Sequence, residues 1–225
     1  MVTNLAYFYE TSQKTRGGKW VWVKDSNGES RKNVLLGGTI LNPKKGFDHL
    51  YAAQLVQYTP SVGMLIFRSF GVKTATAAAT DTTIYLNGDG YGDAPEVGML
   101  IMKAPSTATG TGQSALVTNV VYDEANEKFA VTLSVAIGAL AAGDILVEAS
   151  GNAASDAATV LVPKPNTFIE ADRDLMPTEG FGLNGTANYS LSTVYDKQAW
   201  IQRMQPLPQY VLDMNRSYID GIFWI

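Results

Sequence analysis

The chain has 225 residues, one histidine, no cysteine and a formal net charge of −4, with a pI near 5.0. That length suffices to bury a core in one large domain or two small ones. The missing cysteines exclude disulfides, thiol nucleophiles and Cys-ligated metals, and the acidic balance argues against nucleic acid, whose phosphates need clustered Lys and Arg.

Read from the N-terminus, MVTNLAYFYETSQ lacks the basic start and apolar stretch of a secretory signal. No later run approaches the ~18 apolar residues that span a bilayer, so synthesis in the cytoplasm and no membrane partner are expected. Lys19–Lys24 (KWVWVK) predicts a strand that enters a hairpin at Asp25-Ser26-Asn27-Gly28. Trp20 and Trp22 then share one strand face, as core or as a stacking surface. Val34–Leu41 (VLLGGTIL) predicts a buried strand, with Gly37-Gly38 marking a bulge or a close backbone approach. Asp48–Tyr58 fits a short helix or a strand equally well, and Pro60 stops either.

The run Val62-Gly63-Met64-Leu65-Ile66 recurs as Val97-Gly98-Met99-Leu100-Ile101, and Ala142-Gly143-Asp144-Ile145-Leu146-Val147 has the same shape. A glycine ahead of a short apolar run is how a chain turns sharply into a core strand, so turning rather than duplication is the expectation. Thr82–Leu86 predicts a strand, and Leu116–Tyr122 pairs with Phe129–Leu133 across the charged tip Asp123–Lys128. With Val97–Met102, Ile145–Glu148 and Thr159–Val162, about six short strands result, the pattern of a small all-β barrel or sandwich. Beyond Pro163, Asp196–Met204 offers an Asp N-cap and a two-turn helix, which Pro206 and Pro208 end.

Charge divides the chain. Residues 72–163 hold no Arg, no Trp, three Lys and ten Asp or Glu; the flanks hold 14 cations against 11 acids, all four Trp and 19 of the 23 aromatic residues. The predicted organisation is mainly β: residues 1–71 form the N-terminal β-rich part of a base, 72–163 an acidic barrel or sandwich module, and 164–225 the C-terminal part of the aromatic-rich base, with a short helix and a docking arm.

No catalytic constellation emerges. His49 is the only histidine and no Gly-x-Ser-x-Gly elbow is present, so a triad has one identifiable member, and one His without Cys nearly excludes zinc. Asn87–Asp93 (NGDGYGD) resembles a calcium loop, but its twelfth position is Gly98 where a bidentate Glu is needed. Glu170, Asp172 and Asp174 alternate, as an exposed extended segment or as carboxylates sharing a face. No enzyme, cofactor or metal is expected. The C-terminal stretch is rich in interface-forming residue types, and Trp200, Arg216, Tyr218, Ile222, Phe223, Trp224 and Ile225 are the expected contacts with a partner.

The phrases Val-Gly-Met-Leu-Ile, Val-Thr-Asn-Val-Val-Tyr-Asp-Glu-Ala-Asn-Glu-Lys-Phe and Ala-Ala-Gly-Asp-Ile-Leu-Val within residues 82–147 resemble small β domains of capsid-associated proteins of tailed bacteriophages, including auxiliary and head-fibre proteins of crAss-like phages. The tail Tyr210–Ile225 also resembles capsid-docking arms. The likeness implies a structural protein of the virion that binds the major capsid protein, decorates or reinforces the head, or anchors a fibre, with copies of itself and other head proteins as further partners. The alternative from another class is a carbohydrate-binding or carbohydrate-cleaving β domain that uses Trp20, Trp22 and the acids.

Overall fold

The computed structural model describes residues 15–16, 19–20, 33–44, 48–89, 93–153, 156–169, 173–175, 187–194 and 204–214. The chain is mainly β and divides into two compact units. The first comprises Met1–Ile66, Pro165–Met204 and Met214–Ile225; the second comprises Phe67–Lys164 and Gln205–Asp213.

In chain order the first unit supplies β1 (Thr15–Arg16), β2 (Lys19–Trp20), β3 (Asn33–Ile40), β4 (Asp48–Leu50), β5 (Leu55–Thr59) and β6 (Gly63–Ile66). The second supplies β7 (Ser69–Thr74), β8 (Thr83–Asn87), β9 (Leu100–Lys103), β10 (Thr111–Gly112), β11 (Ser114–Asp123), a 3-10 turn (Glu124–Asn126), β12 (Lys128–Leu133), β13 (Ile145–Glu148) and β14 (Ala158–Thr159). The chain then returns with β15 (Thr167–Ile169), β16 (Arg173–Leu175) and β17 (Ala187–Val194), and the described part ends in helix α1 (Gln209–Met214).

In the first unit the strands close in the order β15-β17-β3-β6-β5, antiparallel throughout except for the parallel contact of β3 with β6 at Ile40 and Met64. The eight-pair ladder of β17 and β3 runs through Gly37 and Gly38 without a register shift, so no bulge forms there. Ile40, Val56, Met64, Ile66 and Ile169 make the core. The ambiguous segment Asp48–Tyr58 is two strands joined by a turn. Ala53 has φ 62°, which no helix tolerates, and the buried Gln54 folds its Oε1 back onto the Tyr51 N–H at 3.0 Å.

In the second unit six antiparallel strands close in the order β11-β12-β8-β7-β13-β9, with β9 pairing back to β11. Phe70, Val72, Ile84, Leu86, Ile101, Val117, Val131 and Leu146 fill its interior. Strand β7 was not among the expected elements, and the change of composition at Val72 falls inside it. Its first half, Ser69–Val72, is buried, whereas Lys73 and Thr74 are exposed.

Two of the three glycine-led phrases form the same turn, whereas ahead of β6 the turn is Thr59–Val62 with Ser61 at φ 65°. Gly63, Gly98 and Gly143 have φ of 141°, 99° and 88° and stand at or just before β6, β9 and β13. Around the last two, Met99 N–H bonds Glu96 O at 3.1 Å and Asp144 N–H bonds Ala141 O at 3.1 Å. Each is a four-residue turn with a positive-φ residue in third place, a site that favours glycine.

A strap formed by Gln205–Asp213 holds both ends of the second unit. Buried Gln205 donates from Nε2 to Phe67 O at 3.1 Å, Ser69 Oγ donates to Pro206 O, and Tyr210 hydroxyl donates to Val162 O at 3.5 Å. Pro208 stands just before α1, and its carbonyl accepts from Val211 and Leu212 N–H in the first turn of that helix. The helix expected at Asp196–Met204 and most of the aromatic-rich base lie outside the described residues. Beneath the strap, buried Arg68 Nη1 bonds Glu148 Oε2 at 3.3 Å.

Gly143→Ala is expected to cost about 1–2 kcal/mol in urea unfolding, because the backbone is left-handed although no atom crowds the new methyl. Gly151→Ala, with equally open space and no positive φ, is the control and should be neutral or slightly stabilising. Glu148→Ala should cost about 3–5 kcal/mol by leaving the Arg68 charge buried, while the double change Arg68→Met with Glu148→Leu recovers most of that loss in the same assay.

Candidate functional site

The hairpin end of the second unit brings together exposed Lys73, Asp89, Glu124 and Glu127 with half-buried Asp123 and Lys128. Strands β11 and β12 pair from Val117–Leu133 to Asp123–Lys128, with a shift between Val117 and Asn119 that lets Val120 and Phe129 pack on the core while Val121 faces solvent. Asp123 caps the 3-10 turn: its carboxylate accepts from Asn126 N–H at 3.2 Å and Asn126 Nδ2 at 2.8 Å. Glu127 closes the tip in the left-handed region, φ 46°, and its N–H bonds Glu124 O.

Two lysines complete the lock. Lys73 Nζ donates to the carbonyls of Asn126 and Glu127 at 2.6 and 2.9 Å, where the turn leaves acceptors without helical partners. Lys128 Nζ lies 4.5 Å from the centre of the Tyr85 ring and 3.7 Å from Asp123 Oδ2. Tyr122 packs its ring on Phe129 at 4.9 Å, tilted by 43°, and donates its hydroxyl to Gly88 O. Gly88 is glycine for want of room, since a Cβ would stand 2.7 Å from Tyr122 Cε2; it is absent from the positive-φ glycines. What presents to water is Glu124, Glu127, Asp89, Val121 and half of Tyr122.

The carboxylates with defined partners serve turns. Hydrogen bonding from the Asn126 side chain, reinforced by the Asn126 N–H and by Lys128, holds Asp123 below the ordinary carboxylate value against a smaller opposing effect of burial. Burial pushes Asp144 up, but the Lys103 ammonium at 2.7 Å and the Ala141 N–H outweigh it, and the net direction is also down. Asp81 Oδ2 accepts from Ala78 N–H at 2.8 Å. Burial raises the Tyr210 phenol above its ordinary value. Asp123 and Asp144 therefore remain ionised near neutrality and act as fixed acceptors.

The sequence candidates are scattered. Trp200, Arg216, Tyr218, Ile222, Phe223, Trp224 and Ile225 lie outside the described residues, as do Trp22, Glu170 and Asp172. Trp20 pairs with Thr15 in β2, and His49 in β4 pairs with Asp174 in β16. In the acidic loop Asp89 is exposed whereas Asp93 is buried, and residues 90–92 are not described. Among the described residues no group of three or more His, Cys, Asp or Glu could hold a metal ion. No helix among them is long and apolar enough to cross a membrane. Sequence reasoning missed the bonds of Lys73 and the ring contact of Lys128, which join residues up to 54 positions apart and leave no local signal.

Because the folded-state values of Asp123 and Asp144 are depressed, their contribution is present above the unfolded carboxylate value of about 3.9 and is lost as pH falls through the folded values. Asp144→Ala should therefore lower stability by about 1 kcal/mol at pH 7, and its difference from wild type should shrink steadily below about pH 4, read by urea unfolding across pH. No family model, curated protein or solved structure matches the chain.

Proposed function

We propose that the protein is architectural: a structural virion component that binds the major capsid protein of a tailed bacteriophage and decorates or reinforces the head, or anchors a fibre. The observation that carries this reading is the way the chain is partitioned. The closed acidic ladder of the second unit is inserted between stretches of the first, Met1–Ile66 before it and Pro165–Met204 after it. The second unit is read as a small barrel that presents a water-facing module, and the first as the aromatic-rich base that holds it.

Supporting it, Asp81, Asp123 and Asp144 bond backbone N–H groups, side-chain amides or lysines of their own unit. A surface of fixed negative charge resists adhesion between particles, and many copies on a lattice make weak single contacts sufficient. The docking arm expected at Tyr218 to Ile225, with Trp200 and Arg216, is the contact with the capsid, with copies of the protein, or with a fibre.

Co-sedimentation of the full chain with heads assembled from the cognate capsid protein tests the proposal. Retention of the full chain, with loss on removal of Gly221–Ile225 and an unchanged circular dichroism spectrum, is the expected result. A strict monomer by native mass measurement that does not sediment with heads would overturn it.

A further inference from the structure

The loop from β7 to β8 encloses a half-open cleft of about 440 Å³, lined by Thr74, Ala75, Thr76, Ala77 and residues 80–85. Its walls are held before any ligand arrives. Thr76 bonds Leu140 in both directions, N–H to O at 3.0 Å and Leu140 N–H to Oγ1 at 3.0 Å. At the other side Leu133 N–H bonds Thr82 O at 2.8 Å, and the Asp81 carboxylate with the Asp81 N–H closes the turn onto Ala78.

Within this frame the hydroxyls of Thr74, Thr80, Thr82, Thr83 and Tyr85 and the second carboxylate oxygen of Asp81 make no hydrogen bond to a described residue. Some hydroxyls elsewhere in the unit are engaged, as where Ser69, Ser114, Thr118 and Ser134 bond backbone groups and Ser150 bonds Thr159; what sets the cleft apart is that five free hydroxyls line one concave surface. Lysine and arginine are absent from the lining, and Asp81 is its one charge. Lys128 steadies the Tyr85 ring from one side at 4.5 Å.

We propose that this cleft is a subsite for a neutral sugar. Hydroxyls donate and accept, as sugar hydroxyls do, so each protein hydroxyl matches either partner, and Asp81 accepts from a sugar O–H. The Ala75 and Ala77 methyls and the Tyr85 ring offer apolar area for the C–H face. The lone carboxylate disfavours phosphate, sulfate and sialic acid. A shallow, solvated cleft gives weak affinity, in the millimolar range, which display in many copies would raise. The inference does not depend on the capsid assignment.

The test is a titration of the ¹⁵N-labelled full chain with lactose, maltose and N,N′-diacetylchitobiose, followed by amide chemical shifts. A saturable response to at least one saccharide, confined to residues 74–85, is expected. Thr80→Val with Thr83→Val, and separately Asp81→Asn, which keeps an acceptor for Ala78, should each weaken it about fivefold with the remaining spectrum unchanged. No saturable response in that segment from any of the three, equal binding by the variants, or a stronger response to sulfated lactose overturns the proposal.

Discussion

Strand β9 pairs on one side with β11 and on the other with β13, and this double pairing closes the six-stranded ladder. Closure gives every strand of that ladder a neighbour on both sides, although β9 covers only Ser114–Leu116 of β11. It also forces each strand to keep one face inside. Ile84 and Leu86 on β8 and Val131 and Leu133 on β12 meet there, while Tyr85, Lys128 and Asp123 stay outside. The outer charge pattern follows from this alternation.

Closure in turn depends on short, sharp connections. Gly98 and Gly143 reverse the chain immediately before β9 and β13, the two strands that complete the ring, and Gly143 N–H bonds Val72 O across the turn at 2.8 Å. Three further ties come from far along the sequence: Gln205 to Phe67, Pro206 to Ser69 and Tyr210 to Val162. They bind the two places where the chain enters and leaves the second unit, which limits fraying at an inserted domain's weakest point.

Asp81, Asp123 and Asp144 are engaged in turns, in keeping with the presenting role proposed above. General acid–base chemistry needs groups with values moved toward neutrality, whereas Asp123 and Asp144 are moved away from it. The Thr-lined cleft differs because its polar atoms face outward on a loop fixed at both sides. On the proposed reading it would add recognition to a presenting surface, at little cost in order.

The sequence alone determined the β class, the β11–β12 hairpin with its charged tip, and the glycine-led turns into β9 and β13. Those features rest on alternation and on φ preferences, which act over a few residues. It also left Asp48–Tyr58 open, because a helix and two strands share its pattern until Ala53 adopts a positive φ. Only tertiary structure decided that Ser69–Thr74 is a strand, that Gly88 lies under Tyr122, that Lys73 caps the hairpin tip, and that Arg68 meets Glu148. Each of these joins residues distant along the chain, and burial of the shared core selects them among many local possibilities.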